Sequence, residues 1–230
     1  MSAAAAQSKP IVYYWAGVKS RNFYMALMAA GTGNADNVEF KGSDSAGAAI
    51  PYPGTAEWDQ VAPQTKSVWG LLPTLVDESS GTYIGESGAI TRWLQKKFGV
   101  EPDDMKLYAL SEQAIEKVGE IHNVLSGAHY SPDRTAAMDA LFTAGSKLHK
   151  ILAGFEKVFA DDGTPWMAGT ATPGDYMIAG SFMILAWLQP DSLDEFPKCK
   201  ALHDHVAGME SIKAYLETVP YNYFKRNSDE

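Results

Sequence analysis

The 230-residue chain predicts an α/β half followed by an all-helical half, with domains over residues 10–99 and 104–220. Two observations carry this reading. Short β-branched and aromatic runs occur only before residue 99, whereas every apolar pattern beyond residue 104 has the helical period. The stretch 70–99 reads as strand, turn, strand and helix, and begins with a proline at position 73. A proline cannot donate to a ladder and belongs at a strand start, an edge or a bulge.

Taken in order, residues 1–9 read as a tail. Ile11 to Trp15 is β-branched and aromatic and too short for a stable helix, so a buried strand is expected. Residues 20–30 carry Phe23, Met25, Ala26, Leu27, Met28 and Ala30 on a strongly apolar helix that Gly31 closes. Val38-Glu39-Phe40-Lys41 alternates as a second strand, and strand, helix and strand together make a βαβ unit with parallel strands. Residues 42–66, rich in Gly, Pro, Ser and Ala, predict a long functional or lid-like loop with Trp58 standing out in it. Thr74-Leu75-Val76 and Tyr83-Ile84 form the next strands around a turn at 77–81. A helix follows, with Ser87 as the oxygen-bearing start and Ile90, Trp93 and Leu94 at helical spacing.

The second half predicts a helix over 105–125, on Leu107, Leu110, Ala114, Val118, Ile121 and Leu125. A second long helix is expected over 135–159. Thr172-Pro173-Gly174-Asp175 has the form of a capping box with proline at the first helical position, and it opens a helix to Leu188 that is apolar nearly all round. Such a helix belongs at the centre of its domain. Shorter helices over 196–206 and 211–216 pack around it.

Composition narrows the function. A net charge of −9, from 28 acidic and 19 basic residues, argues against a nucleic-acid or anionic-membrane partner. The lone Cys199 excludes an intramolecular disulfide and a CxxC motif, and it is expected to be a buried thiol. No apolar run reaches membrane-spanning length and the N-terminus lacks a leader pattern, so a cytoplasmic setting is expected. His122, His129, His149, His203 and His205 lie in no metal-binding motif, and no metal is expected.

Two points in residues 70–99 suggest a ligand. The residue before a proline is extended, so Leu72 offers main-chain groups to which an extended peptide could add as a strand. The helix N-terminus at Ser87 favours a carboxylate, and Glu86 beside it can hold an ammonium. A peptide with an amino-acid end suits both.

The strand tyrosine, the LLP before a strand, the ESGAI at a helix start and the TPGD-capped helix together resemble the cytosolic glutathione S-transferases over residues 11–219. The likeness is nearest to the tyrosine-using group that includes the sigma, mu, pi and alpha classes. It implies a thioredoxin-like domain followed by a helical bundle, a cytoplasmic homodimer, glutathione as co-substrate, and detoxifying conjugation to small hydrophobic electrophiles. A glutathione-dependent isomerase and a non-catalytic family member are the alternatives. By the same resemblance, Leu72 pairs with the cysteinyl residue of glutathione beside a cis Pro73. Ser87 binds the γ-glutamyl carboxylate, and Glu86 takes the ammonium. Tyr13 falls on the catalytic tyrosine, whose phenol donates to the glutathione sulfur, with Tyr14 its rival if the register shifts by one. Trp58 and Lys66 would meet the glycyl carboxylate, although the family's lysine position holds Gln64 here. Tyr14, Trp15, Met105 and Tyr108 would line the hydrophobic pocket. The chain departs from the family at Ala16-Gly17-Val18-Lys19, where an arginine and a glycine are common, and at Leu71, where the family has glutamine. Branches using a cysteine at the first helix find none here, and a serine-using mechanism would rest on Ser20.

Overall fold

The first half is built on a mixed sheet of four strands in the order β2-β1-β3-β4. The computed structural model describes residues 9–15, 21–42, 50–51, 55–219 and 224. β1 (Ile11–Tyr13) runs parallel to β2 (Glu39–Lys41) and antiparallel to β3 (Thr74–Asp77), and β3 pairs antiparallel with β4 (Thr82–Gly85). The parallel pair requires a crossover, which α1 (Asn22–Gly31) supplies. Its residues from Asn22 to Ala30 are all buried, which explains a helix with no polar face. Residues 16–20, including Ser20, lie outside the described residues.

Side chains alternate across the sheet. Val12 and Leu75 join the main core, while Tyr13 and Val76 face a smaller cluster with Ile50, Trp58 and Val61. That cluster belongs to α2 (Ala56–Thr65), in a stretch expected to be loop. Thr55 caps this helix, its hydroxyl accepting the Trp58 N–H at 3.2 Å. Trp58 and Val61 are three apart and fall together under the sheet, and this packing outweighs the N–H missing at Pro63. α3 (Ser87–Phe98) begins at Ser87, but the capping position is Glu86, held at φ +69°.

The second half is helical among the described residues. α4 (Met105–His129) starts at Asp104, whose carboxylate accepts the N–H groups of Lys106 and Leu107 at 3.0 and 2.9 Å. The predicted long helix over 135–159 is two helices, α5 (Arg134–Leu141) and α6 (Lys147–Val158). The break is local chemistry. Gly145 takes φ +78°, and the Ser146 hydroxyl donates to the Leu141 carbonyl at 2.6 Å while accepting the His149 N–H at 3.0 Å.

α7 (Pro173–Leu188) opens on the expected capping box, and its residues through Leu185 are buried. The buried Asp175 carboxylate accepts from the Thr172 N–H (2.8 Å), the Thr172 hydroxyl (2.7 Å) and the Met167 N–H (2.9 Å). α7 packs mainly on α4, α1 and α8 (Pro197–Gly208), with α9 (Glu210–Thr218) completing the bundle. Glycines permit these crossings: a Cβ at Gly174 would stand 2.4 Å from the Ser111 carbonyl oxygen, and one at Gly180 would stand 2.5 Å from Leu27 Cδ1. Cys199 is fully buried, and burial pushes its thiol well above the usual range. Among the described residues no helix is long and apolar enough to cross a membrane, and no cluster of metal-binding side chains occurs.

Candidate functional site

Strand register gathers most of the predicted site at one end of the sheet. Tyr13 pairs across to Thr74, and Thr74 to Gly85. The C-terminal ends of β1 and β4 therefore lie on either side of the N-terminal end of β3. Tyr14, Pro73 and Glu86 follow one residue beyond that row. The Leu72-Pro73 peptide is cis, and Thr74 anchors the strand start by donating its hydroxyl to the Thr65 carbonyl of α2 at 3.0 Å. The Tyr14 N–H continues the ladder by donating to the Lys41 carbonyl at 3.2 Å.

Beside this end, a small cleft of about 90 Å³ opens between α1, α3 and α4. Ser87 and Gly88 line it from the first turn of α3, Arg21 and Tyr24 from α1, and Glu116 and Gly119 from α4. The N–H groups of a helix's first turn have no acceptor within the helix and carry partial positive charge. Arg21 adds a full positive charge close by, its guanidinium donating to the Asn123 side-chain carbonyl at 3.0 Å. Arg21 passes over Gly119 of α4, where a Cβ would stand 3.4 Å from Arg21 Nη1, at van der Waals contact. The arrangement suits an anion at the α3 N-terminus.

Individual residues differ in how they meet the expectations. Tyr13 is 6% exposed, its ring on the α2 side with Lys41 Nζ 5.7 Å from the centroid. Burial, then the Glu39 and Glu78 carboxylates, push its phenol above the usual tyrosine value, so it is a neutral donor at physiological pH. The Tyr14 and Trp15 rings meet at a tilt of 44° with centroids 4.7 Å apart. Leu72 and Trp58 pack in the smaller cluster with Tyr13. Lys66 caps α2 with φ +47° and is exposed, and its ammonium pairs with Glu78 (2.5 Å) and the Tyr83 hydroxyl (3.0 Å). It therefore already holds a carboxylate. Met105 is 75% exposed, and it and Tyr108 do not line the cleft. Met105 starts α4 ten residues before the cleft residue Ile115, a helical rise of about 15 Å.

Sequence reasoning missed Arg21, Asn123 and Glu116. Only Arg21 left a signal, since a cation preceding a helix opposes the macrodipole and needs another reason to be there. His122 lies beside Tyr24, its Nδ1 3.2 Å from the phenol oxygen. Burial, then the Arg21 charge, lower its pKa to about 4. It is a buried histidine that stays neutral at physiological pH.

The chain's relatives agree with this architecture. Residues 120–219 match the family model for the glutathione S-transferase C-terminal domain. The probable glutathione S-transferase 7 of Caenorhabditis elegans is 26% identical over 208 residues, covering 87% of this chain and 97% of that protein. Glutathione S-transferase alpha-3 of Rattus norvegicus is 23% identical over 141 residues, covering 61% of this chain and 64% of that one. Among solved structures, the Pi-class glutathione S-transferase of Onchocerca volvulus superposes with a TM-score of 0.73 at 22% identity, covering 94% of this chain and 98% of that one. Prostaglandin synthase D of Nilaparvata lugens gives 0.67 at 20% identity, with 93% and 99% covered. These structural likenesses are to the fold, a thioredoxin-like half followed by a helical half.

Proposed function

We propose that this chain is a member of the glutathione S-transferase family, as its similarity to the family's C-terminal model and to curated relatives supports, and that it binds glutathione at the sheet end, activates its thiol as a thiolate and joins it to small hydrophobic electrophiles. The observation that carries this reading is the meeting of three features. They are the cis Leu72-Pro73 strand start, the α3 N-terminus at Ser87 and a neutral tyrosine at the end of β1. A tripeptide can add its main chain at Leu72 and place its γ-glutamyl carboxylate at Ser87, near Arg21. Glu86 offers a carboxylate for the ammonium. Residues 10–99 then hold glutathione, and residues 104–220 provide the second substrate's pocket.

Tyr13 donates to the sulfur in this mechanism. The thiolate attacks the electrophilic carbon, a carbon–sulfur bond forms, and the leaving group departs with the electron pair of its broken bond. Lowering a thiol pKa from about 8.5 to about 6.5 requires roughly 2.7 kcal/mol, within reach of one charge-assisted bond plus a helix dipole in a dry site. One observation favours Tyr14 for the same role. Strand alternation puts it on the face of Val12, which also carries α1 and the cleft, whereas Tyr13 faces α2.

Conjugation of glutathione to 1-chloro-2,4-dinitrobenzene at pH 6.5 tests both. Tyr13→Phe should lower the rate by up to about fiftyfold, the loss of thiolate at this pH if the whole two-unit shift rests on the phenol. A loss confined to Tyr14→Phe would move the role to Tyr14, and full activity in both variants would defeat phenol activation. Product analysis separates the isomerase alternative, because only conjugation consumes glutathione and an isomerised product of another substrate would leave it unchanged.

We also propose a cytoplasmic homodimer. Its support is the loop between α2 and β3, where Ser67 clamps Leu71 through its hydroxyl (2.6 and 2.9 Å) and leaves Val68, Trp69 and Leu71 63%, 67% and 57% exposed.

A further inference from the structure

The strand ends that carry the proposed site also carry a cation, Lys41, the last residue of β2. Resting on the glutathione reading, we propose that Lys41, and not Lys66, receives the glycyl carboxylate and so selects thiols that keep this charge.

Order along the sheet comes first. Lys41 pairs with Tyr13, Tyr13 with Thr74 and Thr74 with Gly85, so one row of strand ends runs β2, β1, β3, β4. Ser87 follows Gly85 at one end of this row, the cis Leu72-Pro73 peptide and Tyr13 lie along its middle, and Lys41 stands at the other end. A ligand with its γ-glutamyl carboxylate at Ser87 and its cysteinyl main chain at Leu72 therefore carries its glycyl end toward β2. The lengths agree. Three strand spacings make about 14 Å. Extended tripeptides reach about 11 Å, and the added methylenes of a γ-glutamyl link bring the span between end carboxylates to about 13 Å.

Charge is an independent observation. Residues paired across β1 and β2 share a face, and the Lys41 ammonium stands 5.7 Å from the centre of the Tyr13 ring. Lys41 is half-buried, and among the described residues no ion pair joins it to a carboxylate. A cation partly withdrawn from water without a counter-ion suits an anion brought by a ligand.

Lys66 is placed differently. Its ammonium donates to Glu78 (2.5 Å) and to the Tyr83 hydroxyl (3.0 Å), and that hydroxyl donates to the other Glu78 oxygen at 2.9 Å. A ligand carboxylate would have to displace Glu78 from this closed ring, whereas at Lys41 it displaces only water.

The test compares glutathione with its glycyl monoethyl ester, in which only this carboxylate is masked, by calorimetry on the full chain at pH 7. The parent should bind glutathione about tenfold more tightly, the effect of one charge-assisted bond in a half-exposed site. Lys41→Met should erase that ratio by weakening glutathione alone, so the unchanged affinity for the ester also verifies the variant's fold. In conjugation kinetics the same variant should raise KM for glutathione and leave kcat within about twofold, as expected when binding common to ground and transition states is lost. Lys41→Arg should keep the ratio, and Lys66→Met should shift both thiols alike. Amide chemical-shift differences between the parent's two complexes should centre on residues 39–41, which decides the matter even if Lys41→Met misfolds. The assignment is overturned if the parent binds both thiols equally, if Lys41→Met keeps their ratio, if Lys66→Met erases it, or if the shift differences centre on residues 65–66. A parent chain that binds neither thiol would overturn the glutathione reading itself, and this assignment with it.

Discussion

His122 shows how one buried side chain sets an acid limit on the fold. Its ring meets Tyr24 between α1 and α4 and packs edge-on to Phe224, with centroids 5.5 Å apart. Because burial lowers its pKa to about 4 from an ordinary 6.5, the unfolded chain binds this proton more readily than the folded one does. The neutral ring's advantage is therefore fully present above pH 6.5 and is lost as pH falls from 6.5 to 4. The loss reaches up to about 3 kcal/mol. Urea unfolding across that range should show the decline in the parent chain and a flatter profile in His122→Gln, whatever the variant's stability at pH 7. Equal slopes would place the acid sensitivity elsewhere.

At the scale of elements, α7 concentrates the second half's order in its first turn. Asp175 satisfies three donors from inside the core, and no solvent can replace it. Asp175→Ala strands those donors, and the expected loss is about 3 kcal/mol in chemical denaturation at pH 7. A loss below about 1 kcal/mol would mean the cap adds little beyond the packing of α7.

The whole molecule depends on how closely its two halves and its crossing helices approach. Arg92 of α3 reaches both Glu112 and Glu116 of α4, tying the sheet half to the bundle at its surface. Deeper in, α7 meets α4 backbone to backbone at Gly174. A methyl group at that position has only the Ser111 main chain to press on, so Gly174→Ala should cost about 3 kcal/mol by thermal or urea unfolding. Beyond the single chain, the proposed dimer predicts that Trp69→Glu shifts sedimentation toward the monomer while leaving the fold intact. A parent chain that sediments as a monomer at every concentration would remove the dimer.

Some of this was legible in the sequence for local reasons. Thr172-Pro173-Gly174-Asp175 writes its own capping box, Gly31 closes α1, and Leu72-Pro73 can only start or edge a strand. Each depends on groups within a few residues of one another. The α2 helix was hidden because Gly and Pro dominate its surroundings, and only the contact of Trp58 and Val61 with the sheet makes it form. The break after α5 was hidden because the apolar stripe continues through it, while a single left-handed glycine and one serine redirect the chain.

For the candidate site the division is the same. Backbone rules marked Leu72, Pro73, Glu86 and Ser87 as places where a peptide and a carboxylate could be received. Tertiary structure alone brought Arg21 and Glu116 beside Ser87, set Asn123 against Arg21, left Met105 and Tyr108 in the first turn of α4 outside the cleft lining, and paired Lys66 with Glu78. The physical reason is range. A cap, a turn or a strand start is decided by neighbours along the chain, whereas a cleft is decided by which side chains the packing of separate helices leaves facing one another.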